Sequence, residues 1–233
     1  MAYFDAPYRP ADLTLNSDAI NNSCVGFWPL TDGTGTSAVD VSTGGNDGTI
    51  SNGTHQVGDG GTELSLSGSS SGVNLGDLNL NTSTAFTVTG WVYSGSYGGN
   101  KQLISRDNSG VSRHWQFRTG SGNSLNLIRF DSSDSVITVF SGSTGLTNGE
   151  RYFVAFTFDT TNGSILYLNG EVDGTESNTT ANNSGTGTGI IVGARESSSS
   201  IVDSLTAAFQ NVRIYERALS ASEIATLYTP TRS

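Results

Sequence analysis

The stretch from Arg151 to Gly174, RYFVAFTFDTTNGSILYLNGEVDG, restricts the fold of this chain more than any other. Tyr152, Val154, Phe156 and Phe158 alternate with Phe153, Ala155 and Thr157, and a second apolar run, Ile165 to Leu168, follows a turn carrying Asn162-Gly163. Two such runs joined through Asn-Gly signal a β-hairpin, because these residues accept the left-handed backbone of tight hairpin turns. Both faces of the first strand are apolar, so neither tolerates water. The hairpin is therefore expected in the middle of a sheet, with one face against a second sheet. Asn169-Gly170 turns the chain once more, and a three-strand meander in so short a stretch predicts an all-β fold.

Composition agrees. Hydrophobic residues make up 34% and charged residues 14%, with 30 glycines and a remainder rich in Ser, Thr and Asn; this suits short strands joined by polar turns. A length of 233 residues closes one large sandwich, and no linker-like segment divides it. Further strands are expected at Val25–Leu30, Gly61–Leu66, Gly72–Leu75, Ala85–Tyr93, Lys101–Ser105, Arg113–Arg118, Leu125–Phe130, Val136–Phe140, Gly189–Gly193 and Ala207–Tyr215. In Ala85–Tyr93, Trp91 falls on the face opposite Phe86, Val88 and Val92 and is expected in a second core layer. The tract from Thr175 to Gly189 reads as a long surface loop. One short helix is expected at the end, where Ser220 and Glu223 form a capping box and Leu219 and Ile224 its hydrophobic staple.

Residues 1–23 read as an extended arm preceding a single sandwich domain at 24–233. The arm carries Pro7, Pro10 and the aromatic hooks Tyr3, Phe4 and Tyr8, without periodicity. MAYFDAPYRPADL has neither a basic n-region nor an apolar h-region, and no apolar run is long enough to span a bilayer. A chain made in the cytoplasm without an export signal is expected.

The net charge of -10 argues against nucleic acid, whose phosphates demand clustered Lys and Arg. Through residue 80, nine acidic residues stand against Arg9 alone; such a stretch serves either as a solvated surface or as a holder of a hard cation. Cys24, the single cysteine, excludes an intrachain disulfide.

GFWPLTDGTGTSAVDVSTGGNDGTI, FTVTGWVY, RYFVAFTFD with ILYLNGE, IIVGA and FQNVRIYERALSASEIATLY occur in an order and spacing that resemble the laminin-G-like jelly rolls of the concanavalin A-like lectin/glucanase superfamily. The resemblance runs from about Val25 to Tyr228. It implies two antiparallel sheets, one concave, and a binding or adhesion module more often than an enzyme. It also implies a structural calcium held by Asp40 and Asp47 with a residue of FQNVRIY; Gln210 stands where an acidic residue is common, which weakens the set. No cofactor is otherwise required.

Sugar recognition combines aromatic faces with Asn, Asp and Arg. Tyr97, Asn100, Arg106, Asp107, His114 and Trp115, with Tyr93 and Arg118 beside them, cluster in sequence and supply such a set. The competing reading places Trp115 and Phe117 in the core and the charges on a solvated rim. Glu171, Asp173 and Glu176 superficially match the carboxylate spacing of glucanases of the superfamily, but Gly174 breaks the strand and Glu171 follows a turn, so no catalytic residue is expected. The functional expectation is a non-catalytic phage virion component, a capsid decoration or tail-associated protein displayed on the virion surface. Its partners would be other subunits of the particle, or copies of itself, and cell-surface glycans. A free carbohydrate-binding lectin is the alternative, and a glycoside hydrolase the third reading.

Overall fold

The computed structural model describes residues 20, 23–58, 60–78, 80, 84–183, 185–186 and 188–228. Tyr3, Phe4 and Tyr8 lie outside the described residues. The strands in chain order begin with β1 (Cys24–Trp28), β2 (Ser37–Ala38), β3 (Gly48–Ser51), β4 (Gly53–Gly58), β5 (Gly61–Leu66) and β6 (Gly72–Asn74). They continue with β7 (Ala85–Tyr93), β8 (Gln102–Ser109), β9 (Ser112–Thr119), β10 (Ser124–Phe130), β11 (Val136–Gly145) and β12 (Arg151–Asp159). The last are β13 (Gly163–Leu168), β14 (Glu171–Glu176), β15 (Ile191–Val192), β16 (Arg195–Ser197), β17 (Ser200–Val202) and β18 (Ala207–Tyr215), before helix α1 (Ala221–Tyr228).

These strands form two sheets packed as a sandwich. The first runs β14-β13-β12-β7-β18-β5-β4, with β1 also paired to β18. The second runs β11-β10-β9-β8-β15-β6-β3-β2, and the β16–β17 hairpin joins it beside β8. The two-faced hairpin lies where its apolar pattern demands, with β12 inside the first sheet between β13 and β7. Val154, Phe156 and Phe158 enter the core between the sheets, where the Phe156 ring lies 5.3 Å from Phe86, 5.3 Å from Trp115 and 5.2 Å from Phe117. Phe153 and Ala155, on the other face, join Phe27, Tyr167, Tyr215 and Ile20 in a second cluster closed by Ile224 of α1. Trp91 belongs to this second layer, 5.6 Å from Phe153 and 5.7 Å from Tyr228.

The two Asn-Gly pairs turn the chain differently. Asn169 and Gly170 both adopt left-handed angles (φ 51° and 84°), the two-residue hairpin turn expected of them. Between β12 and β13 only Gly163 is left-handed (φ 82°), and the Asp159 carboxylate holds the turn by accepting from the Thr161 and Asn162 backbone N–H groups. At α1 the capping box forms as read, with the Ser220 N–H donating to Glu223 Oε2 and the Glu223 N–H to Ser220 Oγ.

Several features depart from the sequence reading, among them the unexpected strands β2, β3 and β4. β8 and β11 extend four and five residues past their expected ends, to Ser109 and Gly145. The β16–β17 hairpin carries no apolar alternation and was not expected. The Ser/Thr/Asn tract is not merely superficial: Asn182, Asn183 and Thr188 are buried. Its backbone carbonyls accept from buried arginines, Thr180 and Asn178 from Arg129, and Gly185 and Thr188 from Arg106. A buried guanidinium needs nearly all its donors satisfied, and an irregular segment offers free carbonyls that a strand does not.

Candidate functional site

The alternation of β9 and β10 builds one polar surface. Trp115 and Phe117 on β9, and Leu125 and Leu127 on β10, point into the core. The residues between them, Gln116, Arg118, Asn126 and Ile128, therefore lie on the outer face of the second sheet, where Gln116, Asn126 and Ile128 are themselves buried and Arg118 is partly exposed. Register places Asn126 opposite Arg118, and Arg118 opposite Gln102 of β8. A hydrogen-bond network crosses these strands: Arg118 Nε donates to Asn126 Oδ1 (2.8 Å), Gln116 Nε2 to Asp107 Oδ2 (2.7 Å), and Arg113 Nε to Asp107 Oδ1 (2.8 Å). From the β16–β17 hairpin, Arg195 reaches Asp107 Oδ2 at 3.5 Å and pairs with Asp203 at 2.7 Å. Asp107 is fully buried beneath these donors, whereas the Asp203 side chain is 45% exposed and Arg113 28%. The face thus carries three guanidiniums against two carboxylates on a chain of net charge -10. Burial, with Arg195 and Arg113 nearby, holds the Arg118 pKa below its ordinary value; Asp203 and Asp107 oppose the shift.

Asp203 also leads into an open pocket of about 420 Å³ at one end of this face. Three loops line it: Gly68, Ser69 and Ser70; Ser96, Gly98 and Lys101; and Ile201 to Thr206. Hydroxyls, one ammonium and one carboxylate surround an apolar wall of Ile201, Val202 and Leu205. Such a mixture of a few convergent polar groups with apolar surface suits a small polyhydroxylated ligand.

The residues expected to recognise sugar do not converge. Asp107 lies at the centre of the polar network, and Asn100 is exposed in a left-handed turn (φ 56°) directly before Lys101 of the pocket. Tyr97 and Trp115 are fully buried and present no ring face. The Tyr97 hydroxyl accepts from the Ser94 N–H and donates to the Glu150 carbonyl (2.7 Å). Arg106 faces inward beside Trp115, ion-paired to Asp77 and bonded to the Leu80 carbonyl. The register steps from Arg106↔Trp115 to Asp107↔Arg113, which leaves His114 as the extra residue of a bulge. Its buried ring lies 2.8 Å from the Asn183 carbonyl through Nδ1 and 3.2 Å from Ser112 Oγ through Nε2. Burial, reinforced by the Arg106 charge, lowers its pKa to about 4. These four are structural: the bulge and the inward face of β8 and β9 direct Arg106, His114 and Trp115 away from solvent, and the loop after β7 folds Tyr97 inward onto the Glu150 carbonyl.

Gln102, Gln116, Asn126, Arg195 and Asp203 were not expected in the site. The first three were legible from two-residue alternation once Trp115 and Phe117 are taken as core. For Arg195 and Asp203 no local pattern exists.

The calcium set does not assemble. Asp40 Oδ1 accepts from the Phe27 and Ser42 N–H groups, and Oδ2 from the Asn46 N–H. Asp47 Oδ1 accepts from the Asp40 N–H, so both Asp40 oxygens and one of Asp47's are engaged by backbone donors. Gln210 donates to the Gly60 and Thr62 carbonyls and accepts from Arg151, whose guanidinium would repel a cation. Among the described residues no group of three or more His, Cys, Asp or Glu side chains is placed to hold a metal. The acidic loop is instead a carboxylate-centred turn holding β1 in place. On β14, Glu171 is exposed, Asp173 accepts from Ser143 and Thr144, and Glu176 accepts from the Asn178 N–H; the three do not share a site.

The model of a family described as the concanavalin A-like lectin/glucanases superfamily matches residues 67–225. Among solved structures, the binding domain of Paraclostridial Mosquitocidal Protein 1 is similar at TM-score 0.71 and 15% identity, over 90% of this chain and 52% of that one. Domain 4 of AbnA, a GH43 extracellular arabinanase from Geobacillus stearothermophilus, solved in complex with arabinotriose, is similar at TM-score 0.68 and 18% identity, over 89% of this chain and 98% of that one. Trypanosoma rangeli sialidase in complex with sialic acid is similar at TM-score 0.66 and 16% identity, over 89% of this chain but only 33% of that one. The chain therefore spans about half of the mosquitocidal structure and a third of the sialidase. A search of curated proteins finds no match. Among the described residues no helix is long and apolar enough to cross a membrane. With two antiparallel sheets, a closing helix and a family match over most of its length, the chain belongs to the concanavalin A-like lectin/glucanase superfamily.

Proposed function

We propose that this chain is a non-catalytic carbohydrate-binding module whose ligand lies along the outer face of the second sheet and enters the pocket beside Asp203. The observation that carries this reading is the network of Asn, Gln, Asp and Arg side chains spanning β8, β9 and β10 and continuous with that pocket. The buried Asp107, Gln116 and Asn126 hold the partly exposed Arg113, Arg118 and Arg195 rigid beside the exposed Asp203, and groups fixed in this way match pairs of sugar hydroxyls at little ordering cost. The name of the arabinanase domain, solved with arabinotriose, lends support by analogy of fold. A hydrolase would need one carboxyl free to protonate the leaving oxygen. Asp107, the most central carboxylate here, has both oxygens bonded to donors.

Glycan-array screening followed by calorimetry on the full chain tests the proposal. Arg195→Ala, which removes the link between face and pocket, should weaken binding about tenfold or more. Val57→Lys, on the exposed edge of β4, should leave it unchanged. No binding to any glycan, or equal binding by the Arg195 variant, refutes the site.

Display of this module on a particle such as a virion is the second part of the proposal. It rests on the Pro-rich aromatic arm with Tyr3, Phe4 and Tyr8, which precedes the family match. Burying three aromatic side chains on a lattice partner would give a repeated attachment. A chain lacking residues 2–12 should fold and bind glycan but fail to incorporate into particles; normal incorporation refutes this part.

A further inference from the structure

The pairing of charges singles out one spot on the molecule. Acidic residues outnumber basic ones 21 to 11, so each cation has carboxylates to choose from. Of the eight described arginines, six are ion-paired: Arg106, Arg113, Arg129, Arg151, Arg195 and Arg217. Arg213 instead lies over the Phe27 ring, 3.9 Å from its centroid. That leaves Arg118, which donates to the neutral amides of Asn126 and Gln116, with the Asp203 and Asp107 carboxylates acting on it from beyond ion-pair distance. The chain's single lysine, Lys101, likewise has no carboxylate within ion-pair distance among the described residues.

The backbones that carry these two cations are adjacent in the sheet. Arg118 stands opposite Gln102 in the β8–β9 register, and Lys101 precedes Gln102, its carbonyl accepting from the Thr119 N–H at 2.8 Å. Lys101 lines the pocket, and Arg118 lies on the face that leads into it. Arg113 and Arg195 lie near Arg118 and share Asp107, and Arg195 also pairs with Asp203. A guanidinium fixed by two amides has its remaining edge available for a planar anion, and an adjacent ammonium adds a mobile point charge.

Resting on the reading of this face as a glycan site, we propose that the Lys101–Arg118 corner is a subsite for the carboxylate of an acidic sugar, so that the module selects uronate- or sialate-bearing saccharides over neutral ones. Arg118 receives the carboxylate, Lys101 closes over it from the pocket side, and the serine-rich loops at Ser69, Ser70 and Ser96 meet the hydroxyls of the same ring.

Calorimetry on the full chain with matched pairs tests this: a short oligogalacturonate against its methyl ester, and sialyllactose against lactose, with acetate and inorganic phosphate as competitors. At least one acidic member should bind about tenfold more tightly than its neutral counterpart. That preference should shrink as salt is raised, and acetate or phosphate at the same concentration should not displace the saccharide. Lys101→Gln and Arg118→Gln should each bring the acidic-to-neutral ratio toward one while the Tm stays near that of the parent. Equal or tighter binding of both neutral members, or a ratio unchanged in both variants, overturns the acidic-sugar subsite and leaves the glycan reading standing. Displacement by free acetate or phosphate shows a simple anion site and overturns it too. Absence of binding to every saccharide overturns both.

Discussion

His114 makes the stability of this protein depend on pH in a range where few other groups titrate. The ring is fully buried at the β9 bulge, and its neutral form is satisfied on both sides: Nδ1–H donates to the Asn183 carbonyl and Nε2 accepts from the Ser112 hydroxyl. Protonation would place a charge in a dry site near the buried Arg106 guanidinium and leave two donors facing a hydroxyl and a carbonyl. The folded-state pKa is accordingly about 4, against an ordinary 6.5. Between these values the unfolded chain binds a proton that the folded chain refuses, so unfolding takes up a proton and stability falls as pH falls. The contribution is complete above pH 6.5 and is lost on descent toward pH 4. One pKa unit corresponds to about 1.4 kcal/mol, so moving from pH 7 to pH 5 should remove about 2 kcal/mol through this residue. Urea melts at the two pH values, followed by tryptophan fluorescence with m held common, measure the loss. His114→Gln should be less stable at pH 7, because the amide cannot keep both bonds at ring geometry. Its pH 7 to pH 5 loss should nevertheless be about 2 kcal/mol smaller, since the titrating group is gone while His55 is retained. An identical loss in parent and variant would refute the argument.

Two further outcomes are expected. Asp40→Ala should cost about 2 to 4 kcal/mol in denaturant melts, because it strands the Phe27, Ser42 and Asn46 N–H groups, and EDTA should leave the parent Tm unchanged; a chelator-sensitive Tm would restore calcium to the acidic loop. Phe156→Ala should cost about 3 to 5 kcal/mol, since the ring packs on Phe86 of its own sheet and on Trp115 and Phe117 of the other; a loss near zero would refute its place at the centre of the core.

The sequence alone determined the architecture, because the signals concerned are local. Alternation in RYFVAFTFD marked a strand buried on both faces, Asn169-Gly170 set a turn, and Ser220 with Glu223 set the start of the helix. Each depends on residues a few positions apart, where period and backbone preference act without knowledge of the rest of the chain. Tertiary structure decided which polar residues face solvent. Arg106 and Arg118 look alike in sequence, yet one is buried against Asp77 and the other lies on the outer face; register pairs Arg106 with the core residue Trp115 and Arg118 with Gln102, while one bulge turns His114 inward. A shift of one residue exchanges the faces of everything beyond it, and no local pattern announces it. The polar site depends further on Arg195 and Asp203, brought to Asp107 from 88 residues or more away by a hairpin with no apolar period. Asp40 shows the same limit from the other side: its acidic neighbourhood suggested a cation, but only the fold shows three backbone N–H groups converging on its carboxylate.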